Sequence, residues 1–308
     1  MIETWCAELP HGIRLSCRGA GARGRPVLVF LHGFPEAAFV WDGLLAHFAQ
    51  PAHGGFRCVA PNLRGYEDSS QPADAEAYRP RHLVQDIAAL IAAETSGDGQ
   101  LAGLIGHDWG GALAWNLAAG HPGLLRRLVI VNAPHPQPFA RELQHNPAQQ
   151  VASRYIDFLV RPDAEALLAE RDFARLWPFF GATGTRGPAW LTDDLRARYR
   201  AAWAGDGQRP GAGLTGPLNY YRASPLRPSL VGAPAGGALA LPPAAFTVTT
   251  PTLILWGMQD AALPPSLLDD LPRWVPQLAL ERNEHATHWI VHEQPAWVAA
   301  HIARFVAS

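Results

Sequence analysis

The sequence predicts an α/β protein with a doubly wound, mostly parallel sheet and one inserted helical segment. Three observations indicate this class. Short apolar runs alternate with helix-like segments up to residue 134, which is typical of parallel strands joined by right-handed crossovers. A tight corner flanked by glycines follows one of these apolar runs, at residues 106–111. Finally, the alternation stops at His135 and resumes near Phe246.

The interruption divides the chain into two predicted domains. We expect residues 1–134 and 246–308 to form the α/β core. Residues 135–245, here named the cap segment, are expected to form a helical lid over one edge of the sheet. Its helix-like pieces lie at residues 149–160, 164–175 and 193–204. Residues 205–243 are rich in glycine and proline, and we expect them to return the chain as an irregular segment docked by apolar and aromatic side chains.

The first half of the chain supplies the predicted elements in order. Residues 4–9 and 13–17 indicate an opening hairpin. Val27–Leu31 is wholly apolar, as expected for a parallel strand covered on both faces. The next strand is predicted at 57–61. Helices are predicted at residues 37–50 and 78–94, where apolar residues recur near helical spacing.

The glycine-flanked corner is the motif around which the site is predicted. Gly106-His107-Asp108-Trp109-Gly110-Gly111 lies between an apolar run and a helix-like run. A strand, a tight corner and a helix form the setting of a nucleophile elbow, where a strained turn lifts one side chain above the sheet. The usual central residue is serine, and here it is Asp108. Asp108 could instead only cap the following helix, but the glycines on both sides favour the elbow.

A carboxylate at this corner restricts the chemistry. Its attack on an ester or amide would give an anhydride, which is uphill, whereas at a saturated carbon it displaces a leaving group and forms an ester with the enzyme. Asp108 therefore predicts the opening of an epoxide or the loss of a halide. The backbone N–H groups of Phe34, which follows Gly33 after a buried strand, and of Trp109 are the expected oxyanion-hole donors.

Later strands supply the rest of a predicted triad. Asp260 follows the apolar run 252–257, and His288 follows the last predicted strand, 277–281. Nucleophile, acid and histidine in this chain order match a known arrangement of hydrolytic triads, and open α/β sheets place their sites at the carboxyl ends of the strands. His285 and His292 are rivals to His288. We favour His288 because an apolar stretch follows it directly.

Charge and composition exclude several classes of protein. The chain has 308 residues and a formal net charge of −2, so neither nucleic acid nor an anionic membrane surface is an expected partner. All 25 basic residues are arginine, which excludes a Schiff-base lysine, a pyridoxal phosphate anchor and a P-loop lysine. Uncharged apolar runs fall short of the roughly 20 residues that a membrane span needs.

The cysteines and the first residues lead to an expected compartment. Cys6, Cys17 and Cys58 are far apart and lack the spacing of a metal site, so we expect free thiols in a reducing environment. Residues 1–4 carry an acid and no apolar run, and no signal peptide is expected. We predict a cytoplasmic protein with no metal and no cofactor. The oligomeric state is left open, with a homodimer as one option.

Taken together, these motifs resemble the epoxide hydrolase branch of the α/β-hydrolases over nearly the whole chain. The matching residues are His32-Gly33-Phe34-Pro35, Gly106 to Gly111, Asp260 and the pair His288-Trp289. Glu67 departs from the family, which more often has glycine at that place in an Arg-Gly-Tyr-Gly loop. The resemblance implies an α/β-hydrolase fold with an inserted cap, no cofactor, and a small apolar epoxide and water as the partners.

The resemblance also implies that two cap tyrosines donate hydrogen bonds to the epoxide oxygen, at positions that match Tyr155 and Tyr221. Phenols suit this task, because negative charge gathers on the oxygen as the ring opens. Tyr220 is an alternative to Tyr221, and either tyrosine could be a half-buried aromatic with its hydroxyl in water. Further aromatic residues indicate either an apolar pocket or packing within the cap. These are Trp177, Phe179, Phe180, Trp190 and Trp203.

The implied reaction has alternatives from other classes. A haloalkane or haloacetate dehalogenase would use the same Asp108 nucleophile, and the Trp109 indole could hold a halide. Haloalkane dehalogenases, however, often carry a halide-binding asparagine at the position of Phe34. Haloacetate dehalogenases carry an arginine at the position of Trp109 and tend to have histidine at that of Tyr155. A non-catalytic ligand receptor on this fold is less favoured, because the whole predicted triad is present.

Overall fold

The computed structural model describes residues 1–95, 97, 99–181, 186–207, 209–228 and 242–307. The strands are β1 (Glu3–Glu8), β2 (Arg14–Ala20), β3 (Val27–Leu31), β4 (Arg57–Pro61), β5 (Gly103–His107), β6 (Leu128–Val131), β7 (Thr252–Gly257) and β8 (Leu278–Asn283). The helices are α1 (Asp42–Phe48), α2 (Pro80–Glu94), α3 (Trp109–Gly120), α4 (Pro136–His145), α5 (Pro147–Ala152), α6 (Tyr155–Leu159), α7 (Ala164–Phe173), α8 (Asp193–Ala204), α9 (Thr215–Ala223), α10 (Leu271–Trp274), α11 (Ile290–Glu293) and α12 (Pro295–Ala307).

The strands form one sheet in the order β1-β2-β4-β3-β5-β6-β7-β8. β1 and β2 are an antiparallel hairpin, β2 pairs antiparallel with β4, and the remaining pairs are parallel. The central strands β3, β5 and β6 are buried on both faces, which their unbroken apolar runs require. The predicted doubly wound, mostly parallel sheet is confirmed.

Helices cover both faces of this sheet. α2 and α3 pack on one face through residues such as Leu90 and Leu117, and α1 and α12 pack on the other through residues such as Phe48 and Ile302. The carboxyl ends of the parallel strands therefore open on a single edge. Within the described ranges, the structure contains no helix with both the length and the apolar character to cross a bilayer.

The described part of the polypeptide between β6 and β7 is mostly helical, with turns between the helices, and lies against that edge. A cluster of buried apolar side chains, separate from those on the two faces of the sheet, joins this segment to Phe34 and Trp289 of the core. Thr192 precedes α8, and its hydroxyl accepts a hydrogen bond from the Leu195 N–H at 3.2 Å, as expected of an N-cap. This helical segment lies where the cap segment is predicted.

Local structure within the cap segment differs from the prediction in four places. The helix predicted at 164–175 is broken at residues 170–172, where the backbone leaves helical geometry and φ becomes positive at Arg171 and Asp172. The helix predicted at 149–160 is two helices, α5 and α6, because the chain leaves helical geometry at Ser153. α4 was not predicted, although Pro136 at its first position is a helix-start signal. α9 lies inside the stretch predicted to be irregular. Residues 216–221 are buried on all sides of this helix, so packing between the cap segment and the core stabilises it. Most of the remaining predicted return, residues 229–241, lies outside the described residues.

Candidate active site

The sharp corner is formed where β5 meets α3. Asp108 has φ 51° and ψ −122°, a region that L-residues rarely occupy and that stores strain at functional sites. The corner is tight enough that a Cβ on Gly110 would lie 2.3 Å from the carbonyl oxygen of Leu31. The close packing of α3 on the end of β3 thus holds Asp108 above the sheet edge, in the geometry of a nucleophile elbow.

The carboxylate of Asp108 lies against two backbone donors. The Phe34 N–H donates to Asp108 Oδ1 at 2.6 Å, and the Trp109 backbone N–H hydrogen-bonds to the same carboxylate. Gly33 permits this approach, because a Cβ there would lie 2.2 Å from Oδ1. Both predicted oxyanion donors therefore point at the carboxyl group of the nucleophile itself. That is where negative charge would gather if water attacked an ester of Asp108.

Asp260 and His288 lie at the same edge. Asp260 follows β7 and His288 follows β8, and the parallel pairing of these strands brings their loops together. His288 Nδ1 is 2.7 Å from Asp260 Oδ2. The opposite ring nitrogen, Nε2, is 3.7 Å from Asp108 Oδ2. The imidazole therefore lies between the two carboxylates, oriented by one of them and facing the other.

The charges of these three residues depend on one another. Burial disfavours the imidazolium, but the carboxylates of Asp260 and Asp108 raise the pKa of His288 to about 9. Burial also raises the pKa of Asp108, and the charge of His288 partly offsets this rise. Although burial favours the neutral acid, the charge and hydrogen bond of His288 hold the pKa of Asp260 below its usual range. Near pH 7 the ring is therefore cationic.

Tyr155 and Tyr221 lie next to each other beside the nucleophile. Their ring centroids are 6.2 Å apart, and the ring of Tyr221 packs edge-on against Phe34 at 5.2 Å and Trp109 at 5.0 Å. Burial raises the pKa of both phenols, and the charge of Asp108 raises it further. Both side chains therefore keep their protons at neutral pH and can donate a hydrogen bond toward a group held beside Asp108.

The rival candidates from the sequence lie elsewhere. The hydroxyl of Tyr220 donates to the carbonyl oxygen of Arg64 at 2.9 Å. His285 is exposed. His292 Nε2 lies 2.6 Å from Glu36 Oε1. These contacts place Tyr220, His285 and His292 away from the positions that Tyr221 and His288 occupy in the site.

The cap aromatics divide into two groups. Phe179 contacts the rings of Phe34 and Tyr155, with centroids at 5.9 and 5.6 Å, and so lines the site. Packing accounts for the others. Trp177, Phe180 and Trp203 pack together inside the cap segment, and Trp190 stacks on His292.

Asn132 is a residue of the site that the sequence analysis missed. Its Nδ2 donates to Asp260 Oδ2 at 2.7 Å, and its Oδ1 accepts a hydrogen bond from the Gly257 N–H at 2.8 Å. Its φ of 39° is one that asparagine tolerates better than most residues. The N–H groups of Ala262 and Leu263 donate to the other oxygen of Asp260. The available signal was a polar residue placed directly after a buried strand.

Glu67, the departure from the family pattern, also has a positive φ, 45°. Its Oε2 accepts a hydrogen bond from Asn62 Nδ2 at 2.8 Å. Asn62 Oδ1 in turn accepts one from the Ala38 N–H at 2.8 Å. Asn62 therefore joins the loop after β4 to the segment that follows β3, and Glu67 holds the Asn62 side chain in place.

Comparison with known proteins identifies the family. Residues 26–295 match the model of the α/β hydrolase fold family, and the chain belongs to that family.

Its relatives include proteins named epoxide hydrolases. It is 38% identical to the AB hydrolase superfamily protein YfhM of Bacillus subtilis (strain 168), over 94% of this chain and 92% of that protein. It is 33% identical to epoxide hydrolase 4 of Mus musculus, over 92% of this chain and 74% of that protein. A solved structure described among novel epoxide hydrolases from metagenomes of hot environments superposes with a TM-score of 0.83, at 37% identity and 99% coverage of both chains. The predicted resemblance to the epoxide hydrolase branch is confirmed.

Proposed function

We propose that this protein is an epoxide hydrolase that converts a small apolar epoxide to a vicinal diol through a covalent ester on Asp108. One observation carries the proposal: a carboxylate, rather than a serine, occupies the elbow, and two protonated phenols lie beside it. The carboxylate suits attack on a saturated carbon. The phenols suit a leaving group that stays attached as an alkoxide and needs a proton.

In the first half-reaction, Asp108 acts as the nucleophile. Its Oδ1 is held by the Phe34 N–H, which leaves Oδ2 to attack one epoxide carbon. The carbon–oxygen bond on that carbon breaks, and its electron pair moves to the ring oxygen. Tyr155 and Tyr221 hold this oxygen and supply its proton. The product is a hydroxyalkyl ester of Asp108.

In the second half-reaction, His288 acts as the base. Esterification removes the negative charge of Asp108, one of the two carboxylates that raise the pKa of His288, so the ring then loses its proton more readily. That proton replaces the one that the tyrosine gave to the alkoxide, so the phenol is restored. Neutral His288 takes a proton from water, and the water oxygen attacks the ester carbonyl carbon. The N–H groups of Phe34 and Trp109 stabilise the resulting oxyanion. Its collapse breaks the bond to the diol oxygen, which takes the proton back from His288, and leaves the water oxygen in Asp108. The remaining water proton then passes from Asp108 to His288, which restores the starting charges. These steps use groups of the chain and water alone.

The same nucleophile leaves dehalogenation as the second candidate. The Trp109 indole is the group that would hold a departing halide. Its side chain, however, hydrogen-bonds to Tyr221, and a halide would need neither phenol. These contacts favour the epoxide. The contacts of Phe179 with Phe34 and Tyr155 favour substrates that carry an aromatic or other flat apolar group.

A substrate panel tests the proposal. The parent protein and Asp108→Asn are incubated with an aryl epoxide, an alkyl epoxide, a haloalkane and fluoroacetate. We expect diol from at least one epoxide, and a loss of about 10⁴-fold or more with Asp108→Asn, the scale seen when a nucleophile is removed.

Isotope labelling tests the covalent route. In a single turnover in heavy-oxygen water, the label is expected in Asp108 and not in the diol. Halide release without diol would establish the dehalogenase instead. Direct labelling of the diol would exclude the ester.

A further inference from the structure

A buried carboxylate lies behind the site and has no part in the proposed steps. Glu36 is 1% exposed. Its Oε1 accepts a hydrogen bond from the Tyr199 hydroxyl at 2.6 Å and lies 2.6 Å from His292 Nε2. Burial favours the neutral acid, but the neighbouring His292 and His107 hold the pKa of Glu36 well below its usual range. Glu36 is therefore an ion inside the protein, and its donors stabilise it.

The donors of Glu36 come from both sides of the boundary between the cap segment and the core. Tyr199 is on α8 in the cap segment and is fully buried. His292 is on α11, one helical turn after His288. The His292 ring also stacks on Trp190 of the cap segment, with centroids 4.4 Å apart and an interplanar angle of 12°. One carboxylate thus ties a cap helix to the element that follows the catalytic base.

Glu36 faces the backbone of the base by a second route. His107 Nε2 is 2.9 Å from the carbonyl oxygen of His288, so this nitrogen carries a proton and donates it. The other ring nitrogen, Nδ1, is 3.5 Å from Glu36 Oε2. The backbone at His288 and the helical turn after it are therefore held by two histidines, and both histidines face Glu36.

We propose that Tyr199 is a positioning residue. Through its hydroxyl, the cap segment holds the loop that carries His288 in the position where the imidazole faces Asp108. Its hydroxyl fixes Glu36, and Glu36 holds His292 and faces His107. The inference rests on the proposed function for its chemistry. Because His288 acts only on the ester, a displaced His288 slows ester breakdown and leaves ester formation nearly unchanged. A displacement of 1 Å can slow a step by about 10²-fold.

The structure offers a matched control in Tyr220. Tyr220 is also in the cap segment and fully buried, and its hydroxyl also bonds to the core, but to the carbonyl oxygen of Arg64 and not to Glu36. Tyr199→Phe and Tyr220→Phe therefore each remove one buried hydrogen bond between cap and core. Only the first removes a donor from Glu36.

The experiment measures the two half-reactions separately. Rapid mixing with an aryl epoxide, quenching and mass spectrometry of the protein give the rates of ester formation and breakdown. We expect Tyr199→Phe to slow breakdown by about 10- to 100-fold with no comparable change in formation, and Tyr220→Phe to alter neither rate measurably. Equal effects of the two variants, or an equal loss in both half-reactions, would overturn the proposal. Absence of ester in the parent protein would instead count against the proposed function.

A second measurement needs no substrate. The imidazole signals of His288, followed by NMR in the free protein, should move in Tyr199→Phe and stay unchanged in Tyr220→Phe. Unmoved signals in Tyr199→Phe would overturn the proposal whatever the activity.

His292 supplies a further check on the same oxygen of Glu36. His292→Leu removes the other donor and should also slow ester breakdown. His292→Gln, whose amide can donate to Glu36, should restore most of the rate. Equal rates in these two variants would contradict the assignment.

Discussion

The two parts of the candidate site are built in different ways. Asp108, Asp260 and His288 directly follow strands or lie in the short loops after them, so the hydrogen-bonded register of the sheet brings them together. Tyr155 and Tyr221 are on the short helices α6 and α9, which aromatic packing holds in place. The sheet edge therefore carries the covalent chemistry, and the cap segment carries the groups that distinguish one leaving group from another.

The largest effect is expected from a substitution in the sheet-edge part of the site. His288→Gln should lower turnover by about 10²- to 10⁴-fold, the usual contribution of a general base, and should trap the ester, because Asp108 still attacks. Mass spectrometry should show the protein plus one epoxide. His285→Gln, at an exposed histidine, serves as the control and should turn over like the parent. An unmodified His288→Gln protein after mixing with a substrate of the parent would contradict the scheme.

The next largest effect is expected from substitutions in the cap part of the site. Tyr155→Phe and Tyr221→Phe each remove one donor to the developing alkoxide and should slow ester formation by about 10²- to 10³-fold, as loss of an oxyanion donor does. Single-turnover quenching measures this rate. Breakdown of ester once formed should stay close to that of the parent. A selective loss in breakdown would mean that the phenols serve the second half-reaction instead.

A titration of His288 tests the electrostatic coupling between the histidine and Asp108 at the sheet edge. NMR of the free protein should give a pKa of about 9 for His288. Asp108→Asn, which imitates the neutral ester, should lower the midpoint by about 1 to 3 pH units, the effect of one opposite charge at this range. Asp68→Asn, at an exposed carboxylate in the loop after β4, is the control. An unchanged midpoint in Asp108→Asn would remove the reason given for the base becoming free after esterification.

The raised pKa of His288 also predicts the direction in which the stability of the fold changes with pH. The pKa of His288 is raised in the folded protein from 6.5 to about 9. The ion pairs of His288 therefore stabilise the fold fully below pH 6.5, and this contribution is lost as the pH rises through about 9. Urea unfolding across this range should show a decline that His288→Gln lacks.

The smallest effect concerns the cap segment alone. Thr192→Ala removes the N-cap of α8 and should lower the free energy of unfolding by about 1 kcal/mol. Urea unfolding measures this loss. The rate of ester formation should hold, since α8 carries neither phenol. A large loss of that rate would mean that the first turn of α8 sets the position of the phenols.

The sequence by itself determined the sheet, the elbow and the three residues expected at its edge. It could do so because a buried parallel strand is an apolar run, and the residue after such a run has nowhere to lie but the carboxyl edge of the sheet. The glycines around Asp108 indicate that another backbone segment approaches closely, and the structure shows this approach between Gly110 and the end of β3. The family match was likewise predictable from motifs with fixed spacing.

Only the tertiary structure decided which of two adjacent tyrosines faces the nucleophile, that Asn132 holds Asp260, and that Glu36 lies beneath the site. Tyr220 and Tyr221 are chemically identical, and their directions follow from the placement of α9 against the core. The partners of Glu36 are far apart in the chain, in the cap segment, at the end of β5 and on α11. Contacts of this kind are set by packing between elements, and no periodicity or local spacing in the sequence records them.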